Sequence, residues 1–221
     1  MLKRFLYEHP LLFDVASKIM GILNKDVFYK RMKVKSLGGG YVRICKHIIG
    51  NNNYMEIGRN CHLFKAEIYI VGNNNKIIFE DNCRVGKNCS FRVEGDNILI
   101  YIGKNTSFTR DVQLCAQEAN TSIKVGNNCM FSNNIIVRTS DSHPIYDNKR
   151  NRINPAKSVL IGEHVWIAPN SKIMKGVVVG NGCIIGSDTM VTKSLPDNVL
   201  AVGHPAKIVK EDILWSRESL F

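Results

Sequence analysis

Aliphatic residues recur every six positions in the C-terminal half of the chain. The leading position of each unit from residue 161 holds Ile161, Ile167, Ile173, Val179, Ile185 and Val191. The fifth position is mostly small or β-branched: Val165, Ser171, Val177, Cys183, Thr189 and Leu195. A period of six fits neither a helix nor the two-residue alternation of an ordinary strand. It predicts short flat strands separated by corners, with the leading aliphatic side chain pointing inward.

A longer period precedes this region. Similar segments begin at Ile57, Phe79, Ile102 and Val125, which are 22 or 23 residues apart. Each block contains three six-residue units plus a few additional residues, and three flat strands complete one turn of a triangular coil. The pattern therefore predicts an all-β, parallel solenoid of about seven coils between residues ~50 and ~203. Gly-Asn-Asn-Asn segments at Gly50 and Gly72 predict corners with positive φ.

The two ends of the chain lack the repeat. Helical spacing of apolar residues predicts an amphipathic N-terminal helix, with Leu11, Leu12, Val15, Ile19, Ile22 and Leu23 on one face. That helix either caps the first coil or, through residues 1–24, associates with a membrane surface. Residues 206–218 predict a short capping helix anchored by Trp215. The expected organisation is a helical arm at 1–40, a solenoid at 41–205 with a loop at 138–158, and a C-terminal helix at 206–221.

Charge and cysteine content narrow the classes of function. The chain carries 30 Lys and Arg against 19 Asp and Glu, a net charge of +11, which favours an anionic partner. No nucleic-acid-reading motif is present, so nucleic acid is not expected. The chain has no apolar run long enough to span a membrane, and its seven cysteines form no CxxC pair. Acidic and polar residues interrupt the N-terminal segment, so a secretory signal is not expected. We therefore expect a cytoplasmic protein in which most cysteines are small core residues.

The repeat is interrupted between residues 138 and 158. This insertion holds the densest cluster of polar side chains in the chain: Asp141, Ser142, His143, Tyr146, Asp147, Arg150, Arg152 and Asn154. Loops that project from a rigid scaffold commonly carry binding and catalytic residues. Histidine titrates near neutral pH and is the usual general base. The loop is therefore the expected functional site.

Five segments in and after this loop resemble a known family. They are Ser140-Asp-Ser-His-Pro-Ile-Tyr146, Arg152-Ile-Asn154, Ile161-Gly-Glu-His-Val-Trp166, Lys175-Gly-Val177 and Val202-Gly-His-Pro-Ala-Lys207. They are similar to the hexapeptide-repeat acyltransferases, and most of all to O-acetyltransferases of bacterial capsules and other surface polysaccharides, including sialic-acid capsules. The resemblance implies a left-handed parallel β-helix, acetyl-CoA as donor, a glycan acceptor, and a homotrimer with active sites between subunits.

The resemblance also assigns roles to residues. It makes His143 the general base that removes a proton from the acceptor hydroxyl during direct acetyl transfer. Candidates for supporting the reaction or binding the acceptor are Arg138, Asp141, Ser142, Tyr146, Arg150 and Arg152. The arginines would suit a sugar that bears a carboxylate, whereas Asp141 either orients His143, binds the acceptor or is a solvated charge. Candidates for binding acetyl-CoA are Trp166, Ala168, Ser187, Thr192, Lys193, Pro205, Lys207 and Lys210.

One position departs from the family pattern. Pro169 has no N–H, so it cannot make the backbone contact to the pantetheine arm that some relatives make there. No metal is expected, because only His143 among the histidines lies in a plausible place for a ligand.

The expected function is acetyl-CoA-dependent O-acetylation of a bacterial surface polysaccharide sugar, possibly acidic, in the cytoplasm or at the inner face of the membrane. Two alternatives stay open. One is transfer to a small acceptor such as serine, a nucleotide-linked amino sugar or an antibiotic. The other is a solenoid scaffold without catalytic activity.

Overall fold

The computed structural model describes residues 32–220, which form a β-solenoid without any helix. The helix expected at residues 11–23 lies outside the described residues. The strands are β1 (Met32–Ser36), β2 (Tyr41–Ile49), β3 (Asn53–Ile57), β4 (His62–Val71), β5 (Lys76–Phe79), β6 (Arg84–Val85), β7 (Ser90–Glu94), β8 (Leu99–Ile102), β9 (Ser107–Gln117), β10 (Ser122–Val125), β11 (Met130–Arg138), β12 (Val159–Ile161), β13 (Trp166–Ile167), β14 (Lys172–Ile173), β15 (Val178–Val179), β16 (Ile184–Ile185), β17 (Met190–Val191), β18 (Leu200–Val202) and β19 (Lys207–Lys210).

The strands stack into three faces. The first face is a parallel sheet in the order β1-β3-β5-β8-β10-β12-β15, and we number coils 1 to 7 by these strands. The second sheet covers the other two faces, because β2, β4, β9 and β11 continue around a corner, while β7, β14 and β17 lie only on the third face. The predicted all-β solenoid of parallel coils is confirmed.

The predicted inward positions form the core. All six leading residues from Ile161 to Val191 are fully buried, as are their upstream equivalents Phe79, Ile102 and Val125. In the core, Phe91 packs edge-on against Phe79 and Phe108 with ring centroids 4.9 and 5.9 Å apart. Burying these rings together with the stacked aliphatic side chains stabilises the fold by about 25 cal/mol per Å² of apolar surface removed from water.

The small residue at the fifth position links one coil to the next. The thiols of Cys61 and Cys183 each lie 3.0 Å from a backbone carbonyl of the following coil. The Ser171 hydroxyl makes the equivalent bond to the Gly186 carbonyl at 2.9 Å. A small side chain with a weak donor therefore fits this position, and the interpretation of these cysteines as small core residues is confirmed: Cys61, Cys83, Cys89, Cys129 and Cys183 are buried and free.

Glycine and asparagine form the corners, as predicted. At one corner, Asn82, Asn105 and Asn128 have positive φ, and each amide donates to the next at 3.1 Å. At another, Gly72 has a φ of +136°. Its missing Cβ would lie 1.9 Å from the Gly95 carbonyl oxygen, so the coils can approach this closely only through glycine.

The two ends differ from the expected boundaries. β1 pairs with β3 in register, so the described solenoid already includes Met32–Ser36, within the range expected for the arm. The predicted C-terminal helix is wrong. Lys207–Lys210 instead forms β19, which pairs antiparallel with β18, and residues 211–220 follow without a helix. The physical reason is that the last coil leaves one edge of β18 open, and β19 satisfies its backbone groups. Among residues 32–220 no helix could span a membrane.

Candidate functional site

The insertion leaves the solenoid through a strained turn. Ser142 has a φ of +68°, which costs a non-glycine residue about 1–2 kcal/mol. Two hydrogen bonds hold it there: its N–H donates to the Ser140 hydroxyl (3.0 Å), and its own hydroxyl donates to Gln117 (2.9 Å). The turn directs the next residue, His143, away from the solenoid, and His143 is exposed.

Asn154 fixes the backbone on both sides of His143. Its side chain is largely buried, donates to the His143 carbonyl at 2.9 Å and accepts the Ile145 N–H at 2.7 Å. The His143 imidazole itself has no hydrogen-bonding side chain among residues 32–220. The loop therefore holds the main chain of this residue and leaves its ring available to a ligand.

Asp141 lies beside this turn but does not contact the imidazole. It accepts hydrogen bonds from Lys175 Nζ at 2.5 Å and from Asn154 at 2.8 Å. These bonds, that from Lys175 above all, hold the pKa of the Asp141 carboxyl below its ordinary value. Lys175 also donates to the Asn154 carbonyl at 3.1 Å, so it ties the loop to coil 6 at two points.

Glu118, in the coil before the loop, makes the second anchor. Arg152 donates to both of its carboxylate oxygens at 2.7 Å, and the Ser140 hydroxyl adds a bond of 2.6 Å. The hydrogen bonds from Arg152 are the largest cause of the drop in the Glu118 pKa to about 2. Arg152 thus holds the loop onto the preceding coil, and its guanidinium is committed to the Glu118 carboxylate.

We expect Glu118→Gln to loosen the loop at neutral pH. Amide hydrogen exchange over residues 139–157 should rise by up to about fivefold, since partly exposed ion pairs contribute about 1 kcal/mol or less. A carboxyl whose pKa falls from 4.5 to about 2 on folding stabilises the folded loop above pH 4.5, and that stabilisation is lost as the pH falls towards 2. The difference in exchange rate between Glu118→Gln and wild type should therefore be constant down to about pH 5 and shrink below it.

The matched control is Glu56→Gln. Glu56 pairs with Lys35 at 2.9 Å on the first face, so its replacement should leave loop exchange unchanged. An unchanged exchange rate in Glu118→Gln would contradict the role of this anchor.

The remaining predicted loop residues lie at two places. Arg138 ends β11 at the base of the loop, and its Nε atom is buried with no hydrogen-bond partner in residues 32–220. Tyr146 pairs with Arg152 as an antiparallel bridge, and its ring is 57% exposed. Arg150 lies at the exposed tip of this hairpin, with its N–H donating to the Asp147 carbonyl.

The predicted donor-binding residues lie on the C-terminal coils. Trp166 projects outward from β13, half-buried, between Met130 and Ile184 of the neighbouring coils. The Ala168 N–H donates to the Ile185 carbonyl at 2.8 Å, so it is already used within the solenoid. The other six are exposed: Ser187, Thr192, Lys193, Pro205, Lys207 and Lys210. Within residues 32–220, no hydrogen bond or ion pair joins this group to the loop.

Sequence reasoning missed Gln117, Glu118 and Lys175 as parts of the site. The signal for the first two was the coil length, because Gln117 and Glu118 precede Thr139 and Ser140 by 22 residues, one coil. Lys175 begins one of the segments that resemble the family, but its contact with Asp141 follows only from the fold. No group of three or more His, Cys, Asp or Glu side chains that could hold a metal ion occurs in the described part of the chain.

Comparison with known proteins identifies the family. The model of the bacterial transferase hexapeptide (six repeats) matches residues 158–193. The polysialic acid O-acetyltransferase of Neisseria meningitidis is 34% identical over 192 residues, which cover 77% of this chain and 79% of that protein. The chain belongs to the hexapeptide-repeat O-acetyltransferases. The family predicted from the motifs is thereby confirmed.

Two further members of the family show the extent of the likeness. The crystal structure of the polysialic acid O-acetyltransferase OatWY superposes with a TM-score of 0.73 at 30% identity, covering 87% of each chain. The polysialic acid O-acetyltransferase of Escherichia coli O1:K1 is 34% identical over 132 residues. That match covers 57% of this chain but only 42% of the longer relative.

Proposed function

We propose that this O-acetyltransferase moves the acetyl group of acetyl-CoA to a hydroxyl of an acidic bacterial surface polysaccharide. The observation that carries the proposal is the presentation of His143. The loop holds the His143 backbone through Asn154. The imidazole is exposed, and no side chain among residues 32–220 makes a hydrogen bond to it. The names of the Neisseria and Escherichia coli relatives support an acceptor of the polysialic acid class.

The reaction is a direct transfer. The His143 imidazole removes the proton of the acceptor hydroxyl as that oxygen attacks the thioester carbon of acetyl-CoA. The tetrahedral intermediate collapses, the carbon–sulfur bond breaks, and the imidazolium returns the proton to the departing thiolate of CoA. The products are the acetyl ester and CoA, and no acyl-enzyme forms. Holding the reacting groups together supplies much of the acceleration, which explains why the loop is tied down by Glu118 and Lys175.

Arg138 is the proposed contact for the acceptor's carboxylate. Its buried Nε lacks a partner in residues 32–220 and lies at the base of the loop that carries His143. Leaving such a donor unsatisfied is costly, and a carboxylate would satisfy it with a charge-assisted hydrogen bond. Arg152 is already paired with Glu118, whereas Arg150, at the exposed hairpin tip, is a second proposed contact.

We expect Arg138→Met to raise KM for the acidic acceptor by about tenfold to a hundredfold, because hydrogen bonds to charged groups contribute about 1.5–3 kcal/mol. KM for acetyl-CoA should not change, since the donor residues lie on other coils. Initial rates measured against each substrate check this. The matched control is Arg110→Met, which removes an exposed arginine from β9 in coil 4. Equal increases in both KM values would contradict the assignment.

The C-terminal coils would hold the donor. Trp166 offers an aromatic surface for the pantetheine arm, and Lys193, Lys207 and Lys210 offer three exposed cations for the phosphates of CoA. Ser187, Thr192 and Pro205 line the same end, whereas Ala168 would contribute through packing, because its N–H is occupied.

The complete site is proposed to form between subunits of a homotrimer of left-handed coils. Support comes from the observation that, within residues 32–220 of one chain, no hydrogen bond or ion pair joins the loop to the donor residues. A neighbouring subunit would supply the missing half. We place the enzyme in the bacterial cytoplasm, at the inner face of the membrane if residues 1–24 associate with it.

The test is acetyl transfer from acetyl-CoA to a panel of neutral and sialic-acid-containing glycans, read by mass spectrometry as the addition of one acetyl group. Transfer to an acidic glycan is the expected result. Transfer only to neutral glycans would overturn the acidic acceptor. Transfer only to serine, a nucleotide-linked amino sugar or an antibiotic would replace the polymer by a small acceptor. Failure to bind acetyl-CoA would favour the scaffold.

A further inference from the structure

The last described residues form a strap along one corner of the solenoid, defined here as residues 213–217. The Ile213 N–H donates to the Asn198 carbonyl at 3.0 Å, beyond coil 7. At the other end, Arg217 donates to the Cys129 carbonyl of coil 5 and, at 3.3 Å, to the Asn105 carbonyl of coil 4. The strap therefore runs across successive coils, and its Trp215 indole N–H donates to the His164 carbonyl of coil 6, the coil that carries Trp166.

Trp215 is held at the centre of the strap by three contacts with one residue. Its ring stacks on the His164 ring with centroids 4.1 Å apart and an angle of 7°. Its Nε1–H donates to the His164 carbonyl at 2.8 Å, and its own carbonyl lies 3.0 Å from His164 Nε2. A side chain with stacking on one face and hydrogen bonds at both its ring and its backbone has little rotational freedom.

This fixed ring adjoins Trp166. The two indole centroids are 5.9 Å apart at an angle of 45°, within the range of favourable aromatic pairs. The ladder neighbours of Trp166 on the same face are Met130 and Ile184, which are aliphatic side chains. Trp215 is thus the aromatic neighbour that restricts the Trp166 ring among the described residues.

Arg217 attaches the C-terminal end of the strap to the solenoid by specific hydrogen bonds. Its guanidinium donates to carbonyls and to the Ser107 hydroxyl at 3.1 Å, and no carboxylate pairs with it in residues 32–220. Burial lowers its pKa, so placing the cation there has a cost that the hydrogen bonds offset. The adjacent Leu214 is 92% exposed, whereas Trp215 is partly buried.

We infer that Trp215 is a positioning residue for the acetyl donor, acting by fixing the indole of Trp166. The inference rests on the proposed function, in which Trp166 contacts the pantetheine arm of acetyl-CoA. A restricted indole binds a ligand with a smaller loss of conformational entropy than a mobile one. The strap therefore improves donor binding without touching the donor and has no effect on the acceptor.

The chain contains two tryptophans, so replacing Trp215 allows the mobility of the Trp166 ring to be measured directly by fluorescence. In both Trp215→Phe and Trp215→Leu, Trp166 is the sole tryptophan. We expect the Leu variant to show faster loss of Trp166 fluorescence anisotropy and a KM for acetyl-CoA raised by about tenfold, with KM for the acceptor unchanged. The Phe variant, which keeps an aromatic ring against Trp166, should resemble wild type in both KM values and show slower anisotropy decay than the Leu variant.

Leu214→Ala, made in the Trp215→Phe background so that Trp166 is the sole tryptophan, is the matched control. It alters an exposed strap residue and should change neither the anisotropy decay of Trp166 nor KM for acetyl-CoA. The inference would be overturned if Trp215→Leu lowered the melting temperature but showed the same Trp166 anisotropy decay as Trp215→Phe and the same KM for acetyl-CoA as wild type. The strap would then stabilise the fold without acting on the donor site. If wild type transfers no acetyl group, the proposed function fails. The anisotropy of Trp166 in the Phe and Leu variants then decides whether Trp215 fixes it.

Discussion

Replacing His143 with glutamine is expected to lower kcat for acetyl transfer by about 10²–10⁴-fold, the usual contribution of a positioned general base. Glutamine keeps a polar side chain at the exposed end of the turn but cannot accept the hydroxyl proton. The backbone anchors of the loop, the Asn154 bonds above all, do not depend on the imidazole, so the variant should fold normally. Single-turnover rates with saturating acetyl-CoA and an acidic glycan provide the measurement.

His62→Gln is the matched control, because it removes a histidine that lies outside the loop. It lies on β4, far along the solenoid from the loop, and burial lowers its pKa. Its replacement should leave kcat unchanged. A His143→Gln enzyme that retains most of its rate, with His62→Gln inactive, would move the base to β4 and overturn the mechanism.

Gly72→Ala is expected to destabilise the fold by about 4 kcal/mol or more, at the upper end of single substitutions. The φ of +136° is closed to alanine, and the new Cβ would lie 1.9 Å from the Gly95 carbonyl oxygen. The coils would have to separate at this corner, which breaks the bond from the Asn75 amide to the Gly95 carbonyl. Urea unfolding at fixed protein concentration measures the loss.

Gly38→Ala separates the two causes of this destabilisation, the positive φ and the steric clash. Gly38 also has a positive φ, +83°, but an added Cβ would meet nothing within 4 Å. We expect a loss of about 1–2 kcal/mol, the cost of the backbone conformation alone. Similar losses in the two variants would show that the clash with the Gly95 carbonyl is relieved and that coil spacing at this corner is not set by glycine.

The hexapeptide period was sufficient to predict the core because the solenoid is nearly one-dimensional. Each leading aliphatic contacts its equivalents one coil away, so a regular spacing in sequence becomes a regular stack in space. The same regularity located the loop, since an insertion interrupts the period. The ends could not be predicted this way. Trp215 was expected on a helix, yet its position is set by contacts with His164, 51 residues earlier.

The sequence by itself determined the parallel solenoid, the inward faces, the glycine and asparagine corners and the position of the His143 loop, because each follows from a local period or its interruption. The tertiary structure alone decided which groups hold that loop and where the C-terminal residues lie. Lys175 reaches the Asp141 carboxylate across 34 residues, and Arg217 reaches the Cys129 backbone carbonyl across 88, each by a hydrogen bond from a single side chain. Such contacts leave no period in the sequence, since they depend on coil stacking and on the path of irregular segments across it.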